Sequence, residues 1–244
     1  MKAMLLCAGY GTRLGELTRE IPKPMLPVGD RPLLEYLIAH LVRQEFAEIA
    51  MNLHFMPQVM QSHFDDGSHW GAQLRYYLEP ELLGTAGAVK NMRDFVAADD
   101  CFLVQYGDVL TNQDFRVMLA FHRSRQGIAT LLVHQRKSSN SVLVLDSQGA
   151  VELFLERPSE EERRGIESPW VFSGVAICSP ELINLIPMQA PCDLPRDIFA
   201  RLAGTGRLFA FPLTGDRYAI DSPQRLEAAR SAALQGVFQA GAAS

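Results

Sequence analysis

The sequence predicts an α/β fold: a mostly parallel sheet with helices on both faces. Strand and helix signals alternate along the first half of the chain, and repeated β-α-β units of this kind build a parallel sheet that is covered on both sides. The second half is less regular and contains a predicted hairpin.

The strand predictions rest on short apolar or alternating runs, and the helix predictions on apolar residues at helical spacing. In the first half, strands are predicted at 2–8, 47–53, 72–78 and 101–106, and helices at 32–43, after Pro57 and at 85–96. In the second half, strands are predicted at 128–135, 141–145, 151–155 and 171–178, and helices at 194–203 and 223–234. The alternation in the first half is that of a Rossmann-like fold.

The domain organisation follows from the absence of a Pro-, Gly- or Ser-rich linker. The sequence therefore predicts a single domain of residues 1–238, with a regular half at 1–112 and a hairpin-containing half at 113–238. Residues 239–244 are small and are predicted to form a frayed tail.

Composition narrows the classes of partner. The net charge of −5 provides no global basic field, so we expect no nucleic-acid partner, and an anionic ligand must be held by local groups. No apolar run reaches the roughly 18 residues that cross a membrane, so no membrane partner is expected. The N-terminus lacks a signal-peptide pattern, and the four cysteines lie far apart, which favours buried free thiols in a reducing cytoplasm.

A glycine-containing loop after the first strand is the strongest local signal. Gly9 and Gly11 allow backbone N–H groups to approach phosphate oxygens, while Arg13 and Lys23 add positive charge. The dinucleotide pattern G-x-G-x-x-G fails because Leu14 occupies its third glycine position, which disfavours a dinucleotide-dependent oxidoreductase. The Walker pattern fails because no Lys follows a suitable Gly.

These residues belong to a longer ordered set of motifs. The set comprises Gly9 to Leu14, Leu17-Thr18, Pro22 to Val28, Pro32 to Glu35, Gly84 to Gly87, Gly107-Asp108, Glu156-Arg157-Pro158, Ser173-Gly174 and Tyr218 to Pro223. In this order and over nearly the whole chain, the sequence resembles the sugar-1-phosphate nucleotidyltransferases, and within them the mannose- and heptose-1-phosphate guanylyltransferases. The resemblance departs at Arg157, where the family commonly has Lys, and at Ser222-Pro223, which follows Asp221 directly.

The resemblance implies that a sugar 1-phosphate attacks the α-phosphorus of a nucleoside triphosphate and releases pyrophosphate, with Mg²⁺ as cofactor. It makes Arg13 and Lys23 catalytic, and Asp108 and Asp221 the metal ligands. It assigns the nucleotide to the first half of the chain, at Leu6, Ala8, Gly9, Gly11, Thr12, Arg13, Glu79, Glu81, Gly84 and Thr85. It assigns the sugar phosphate to Gly107, Glu156, Arg157 and Gly174, mostly in the second half. The oligomeric state stays open, a homo-oligomer included.

The nucleobase prediction rests on Glu79 and Glu81, because one carboxylate can accept hydrogen bonds from both the N1–H and the exocyclic amine of guanine. GTP is therefore favoured, with thymidylyl-, uridylyl- and cytidylyltransferases as alternatives. A sensor that binds a nucleotide sugar without turnover is a further alternative.

Several residues keep structural alternatives. Asp108 could be a turn or capping residue, and Asp221 could cap the following helix. Glu79 and Glu81 could be exposed loop acids, and Arg157 could be merely solvated.

Overall fold

The computed structural model describes residues 1–137, 139–189 and 191–238, so the predicted tail at 239–244 lies outside the described residues. By their internal contacts, the residues form two compact units. The first unit comprises Met1–Leu82, Val104–Asp114 and the described residues from Gly215 onward, and the second comprises Leu83–Leu103 and Phe115–Thr214. Each unit gathers segments that are distant in sequence.

The elements of the described residues are as follows. The strands are β1 (Lys2–Leu6), β2 (Pro27–Val28), β3 (Arg31–Pro32), β4 (Glu48–Leu53), β5 (Gln73–Leu78), β6 (Phe102–Tyr106), β7 (Val109–Thr111), β8 (Ala129–Gln135), β9 (Ser141–Leu145), β10 (Val151–Glu156), β11 (Trp170–Cys178), β12 (Leu208–Pro212) and β13 (Arg217–Ala219). The α-helices are α1 (Leu33–Arg43), α2 (Pro57–Phe64), α3 (Gly84–Asn91), α4 (Phe115–Arg125), α5 (Glu160–Arg163), α6 (Glu181–Leu185), α7 (Ala200–Leu202) and α8 (Pro223–Leu234).

The first unit contains parallel strands. β4 pairs in parallel with β1 on one side and with β5 on the other, and β13 pairs antiparallel with β7. Helix α1 buries an apolar face that includes Leu33, Leu34, Leu37 and Ile38. Because parallel strands end at the same edge, this arrangement collects the residues that follow β1, β4 and β5.

The second unit contains several antiparallel pairs. β11 pairs antiparallel with β8 and β9, and β9 pairs antiparallel with β10, which confirms the predicted hairpin. β12 runs parallel to its neighbour, β8. The rings of Phe154, Phe172 and Phe199 form a cluster with centroids 5.6–6.3 Å apart, which packs a π-helix at Leu194–Phe199 against β10.

The structure confirms the α/β class, and the sheet is mixed rather than uniformly parallel. The predicted helix at 85–96 is divided, since α3 ends at Asn91 and a 3₁₀ turn follows at Arg93–Val96. The predicted helix at 194–203 consists of the π-helix followed by α7. Helix α4 and strand β12 have no counterpart among the predicted elements.

All four cysteines are free and buried. Among the described residues, no helix combines the length and the apolar character that a membrane span requires.

Candidate active site

The glycine loop begins directly after β1 in the first unit. Gly11 has a φ of +70°, and a Cβ at this position would lie 3.1 Å from both Lys23 Cβ and Thr18 Cγ2. The Thr18 hydroxyl donates a hydrogen bond to the Gly11 carbonyl at 3.0 Å. Glycine is therefore favoured at position 11, because other residues are strained in a left-handed backbone and a Cβ would crowd Lys23 and Thr18. Gly9 is exposed, and a Cβ added there would meet no atom within 4 Å, so its backbone is accessible.

The remaining predicted residues of this loop occupy three environments. Leu6 ends β1, and its carbonyl accepts a hydrogen bond from the Gly107 N–H at 2.9 Å. Ala8 is buried, whereas Thr12 is exposed at the start of the 3₁₀ turns that follow the loop. Arg13 is exposed over 60% of its side chain, so a solvent-borne ligand can reach its guanidinium.

Lys23 and Asp108 form an ion pair. The Lys23 Nζ donates to Asp108 Oδ2, and the two side chains are only 12% and 23% exposed. Gly107, which precedes Asp108, packs closely against the end of β1, because a Cβ there would lie 2.7 Å from Cys7 Sγ and 2.8 Å from the Leu6 carbonyl oxygen. Burial, and then the Asp108 charge, raise the pKa of the Cys7 thiol, so this cysteine stays protonated and is unsuited to act as a nucleophile.

A backbone hydrogen bond brings Asp221 close to Asp108. The Ile220 N–H donates to the Asp108 carbonyl at 2.9 Å, and Asp221 is the next residue. Its carboxylate accepts from Arg225 at 2.7 and 2.8 Å and pairs with Arg13 at 3.5 Å. The capping alternative for Asp221 is wrong, because the Ser222 hydroxyl caps α8 by accepting from the Arg225 N–H at 3.3 Å.

Asp108 and Asp221 offer few side-chain ligands for a metal ion. Among residues 1–137, 139–189 and 191–238, no group of three or more His, Cys, Asp or Glu side chains is arranged to hold a metal ion. Asp108 and Asp221 supply hard oxygen atoms, and Mg²⁺ is typically held by one or two carboxylates together with phosphate oxygens. The two residues therefore fit Mg²⁺ as a partner of a polyphosphate better than as an ion in an all-protein site.

Glu79 and Glu81 differ sharply in environment. Glu79 is 4% exposed, and its Oε1 accepts from Asn52 Nδ2 at 2.8 Å, so the exposed-acid alternative is wrong for this residue. The Asn52 Oδ1 in turn accepts from the Cys7 N–H at 2.8 Å. Glu81 is exposed.

In the second unit, Gly84 and Thr85 begin α3 and are held by the segment before the π-helix. A Cβ on Gly84, whose φ is +74°, would lie 2.5 Å from the Cys192 carbonyl oxygen. The Thr85 N–H and hydroxyl donate to Asp193 Oδ1 at 3.3 and 3.2 Å, and the Thr85 hydroxyl accepts from the Leu194 N–H at 2.8 Å. The backbone that approaches Gly84 is therefore that of Cys192.

The predicted sugar-side residues of the second unit lie on or next to two strands. Glu156 ends β10 and is half-buried, and burial, the largest cause, raises the pKa of its carboxyl. Arg157 follows with a φ of +51°, is 72% exposed at its side chain, and has its Nε 3.6 Å from Glu156 Oε1. Gly174 has a φ of +83° and lies where the β11–β8 register shifts.

Four residues near these positions were not predicted to have a role: Asn52, His54, Asp193 and Arg225. Arg225 could have been found, because it lies four residues after Asp221 at the start of a predicted helix. Asn52 lies at the end of a predicted strand and His54 directly after it, at the carboxyl edge where parallel sheets commonly bind ligands. No pattern in the sequence points to Asp193, because its partner Thr85 lies 108 positions away.

Comparisons with known proteins show which family and fold this chain resembles. The family model "Nucleotidyl transferase" matches residues 2–192. The chain is 34% identical over 223 residues to the UTP–glucose-1-phosphate uridylyltransferase of Synechocystis sp., covering 86% of this chain and 57% of that protein. It is 30% identical over 230 residues to the mannose-1-phosphate guanyltransferase of Saccharomyces cerevisiae, covering 92% and 62%. The chain thus spans about three fifths of the length of these relatives. The crystal structure of HddC from Yersinia pseudotuberculosis has the same fold, with a TM-score of 0.79, 22% identity, and coverage of 94% of this chain and 98% of that one.

Proposed function

Because the chain belongs to the nucleotidyl transferase family, we propose that it joins a sugar 1-phosphate to a nucleoside triphosphate and releases pyrophosphate. The observation that carries this proposal is the grouping in the first unit of an accessible glycine loop with two cation–carboxylate pairs, Lys23 with Asp108 and Arg13 with Asp221. Such a group of charges suits a polyphosphate and its metal ion.

The proposed reaction needs positioning and charge neutralisation rather than a general base. An oxygen of the sugar phosphate is already anionic, so it forms the new P–O bond at the α-phosphorus while the bond to pyrophosphate breaks. The N–H groups at Gly9 and Gly11 would orient the triphosphate, and Arg13 and Lys23 would stabilise the charge that develops on its oxygens.

Mg²⁺ is the proposed cofactor, and Asp108 and Asp221 would hold it. When bound, it would neutralise charge on the phosphates. The hydrogen bond between Ile220 and Asp108 keeps Asp221 close to Asp108. The present partners of the two carboxylates, Lys23, Arg13 and Arg225, are themselves suited to bind phosphate oxygens.

GTP is the proposed nucleotide. Glu81 is exposed and so can meet the two adjacent donors of guanine directly, whereas the carboxylate of Glu79 already accepts from Asn52. Gly84 and Thr85 are retained as proposed nucleotide-binding residues, although Cys192 occupies the space beside Gly84 and the Thr85 N–H donates to Asp193. The yeast relative is named as a guanyltransferase, which supports GTP, while the Synechocystis relative is named as a uridylyltransferase, which makes UTP the main alternative.

The sugar phosphate is proposed to bind at Gly107, Glu156, Arg157 and Gly174. The Glu156 carboxylate can accept hydrogen bonds from neighbouring sugar hydroxyls, and the exposed Arg157 can reach the phosphate. Retention of all four cysteines as free thiols supports a cytoplasmic reaction.

A pyrophosphate-release assay tests the function. GTP, UTP, dTTP, CTP and ATP would each be combined with mannose 1-phosphate, glucose 1-phosphate and other sugar 1-phosphates in the presence of Mg²⁺. We expect release that requires both substrates and is fastest with GTP. Binding of a nucleotide sugar without any release would instead support the sensor alternative, and a preference for UTP that Glu81→Gln leaves unchanged would contradict the base assignment.

A further inference from the structure

Tyr10 stands between the two glycines of the phosphate loop, and its side chain is held in place. The Tyr10 hydroxyl lies 2.6 Å from His54 Nε2, although the tyrosine is 45% exposed. Its ring also packs edge-on against the His54 ring at 5.1 Å and lies 5.6 Å from the Phe55 ring. An exposed aromatic side chain with three such restraints is ordered by its neighbours rather than by burial.

The tautomer of His54 follows from its second partner. Its Nδ1 lies 2.7 Å from the Glu79 carbonyl oxygen, which can only accept, so Nδ1 carries the proton. In the neutral ring Nε2 is then the acceptor, and the Tyr10 hydroxyl donates to it. His54 therefore connects Tyr10 in the loop to Glu79, the residue that follows β5.

The same strand end holds the loop on its other side. The Glu79 carboxylate accepts from Asn52, and Asn52 accepts from the N–H of Cys7, the first residue after β1. Hydrogen bonds thus run from Cys7 through Asn52, Glu79 and His54 to Tyr10, so that both sides of Ala8-Gly9 are tied to the ends of β4 and β5. A glycine loop loses much conformational freedom on ordering, and these bonds reduce what remains to be lost when a ligand binds.

We propose that His54 is a positioning residue, which holds Tyr10 and thereby presets the Gly9–Gly11 backbone for the phosphates of the nucleotide. This inference rests on the proposed function, and it adds residues that the family match does not assign. Because the loop would meet phosphates and not the base, the contribution of the Tyr10–His54 bond must be the same for every nucleoside triphosphate.

Calorimetric titration with GTP and with UTP, each with Mg²⁺ and without sugar phosphate, tests the proposal. Tyr10→Phe removes only the hydroxyl, and His54→Asn retains a donor for the Glu79 carbonyl while losing the acceptor for Tyr10. We expect each variant to lower the affinity for GTP and for UTP about three- to tenfold, which is the effect of losing one hydrogen bond. The double variant should be no weaker than either single variant, since both remove the same bond. In turnover, KM for the triphosphate should rise by this factor with kcat nearly unchanged.

The matched control is Tyr76→Phe, which removes a tyrosine hydroxyl outside the loop. The Tyr76 hydroxyl donates to the Asp65 carbonyl at 2.7 Å, so its loss should leave the affinities for GTP and UTP unchanged. The inference is overturned if Tyr10→Phe binds GTP and UTP as tightly as the wild type, or if the loss is confined to one base. This result is separable from failure of the proposed function, in which the wild type binds triphosphate but releases no pyrophosphate. Should His54→Asn fail to fold, the Tyr10→Phe measurement alone decides.

Discussion

Lys23 and Asp108 are 85 positions apart in the chain, yet they form a half-buried ion pair beside the glycine loop. Asp221 is similarly shared between Arg13 and Arg225. At the scale of single residues, the candidate site is thus a set of three cations and two carboxylates that are joined by ion pairs. A polyphosphate with its metal ion can exchange with these pairs, because it presents both signs of charge.

Removing either of the two cations next to the glycine loop, Lys23 or Arg13, should impair turnover. We expect Lys23→Ala and Arg13→Ala each to lower kcat/KM by about 10²-fold or more. Each substitution removes a positive side chain that would stabilise the charge on the transferring phosphates. Steady-state pyrophosphate release measures the effect. Arg19→Ala, which removes an exposed arginine paired with Glu16, is the matched control and should keep wild-type activity. Near-normal rates in both loop variants would contradict the phosphate-loop interpretation.

Removing the charge of either carboxylate, Asp108 or Asp221, should change how activity depends on Mg²⁺. Asp108→Asn and Asp221→Asn keep side-chain size but lose the charge that a cation requires, so we expect lower maximal rates and a higher Mg²⁺ concentration for half-maximal activity. The cap of α8 is supplied by Ser222, so Asp221→Asn should not act through helix capping. Asp100→Asn, which disrupts an exposed pair with Arg123, serves as control. An Asp221→Asn enzyme with an unchanged Mg²⁺ requirement would leave Asp108 as the main ligand.

At the scale of elements, the start of α3 shows how a motif can be held from outside its own segment. Its first N–H groups donate to Asp193 and to the Cys192 carbonyl, which are the partners that a helix N-terminus needs. The π-helix that follows Asp193 packs against both α3 and β10, the strand that ends at Glu156. Within the second unit, this packing links the G-T-A-G motif to the strand that carries the proposed sugar-binding residue.

The close approach at Gly84 leads to a stability prediction. Gly84→Ala combines a left-handed backbone, which costs about 1–2 kcal/mol, with overpacking against Cys192, which costs about 1–3 kcal/mol, so we expect a total loss of about 2–5 kcal/mol. Gly165→Ala has a similar φ of +80° but open space around the Cβ position, and should lose only about 1–2 kcal/mol. Denaturant unfolding compares the two. Equal losses would show that the contact with Cys192 yields without cost.

For the molecule as a whole, each unit buries a histidine. Burial, the largest cause, lowers the pKa of His40 in the first unit and of His122 in the second from 6.5 to about 4. His40 Nε2 lies 2.9 Å from the Gln113 carbonyl, and His122 Nδ1 lies 2.9 Å from the Thr130 hydroxyl. Both rings are therefore accommodated in their neutral form.

This burial predicts acid sensitivity. Between pH 6.5 and about 4 the unfolded chain binds a proton at each histidine that the folded chain does not, so stability should fall with falling pH and be fully retained above 6.5. Each residue contributes up to about 3 kcal/mol by this route. We expect His40→Gln and His122→Gln to flatten the slope of unfolding free energy against pH in this window, whatever their stability at pH 7. A slope unchanged in both variants would contradict the buried, neutral state.

The sequence by itself determined the α/β class, most strand and helix positions in the first half, and the residue types of the glycine loop, because apolar periodicity and glycine chemistry are local properties. The position of Asp108 after a strand was predictable for the same reason. What only the tertiary structure decided are the partners across long separations: Lys23 with Asp108, Thr85 with Asp193, and Tyr10 with His54. It also decided that Ser222 rather than Asp221 caps α8, that Glu79 is buried while Glu81 is exposed, and that β11 pairs antiparallel with β8 and β9. Strand pairing and side-chain burial depend on which distant segments the chain brings together, and a local pattern carries no record of that choice.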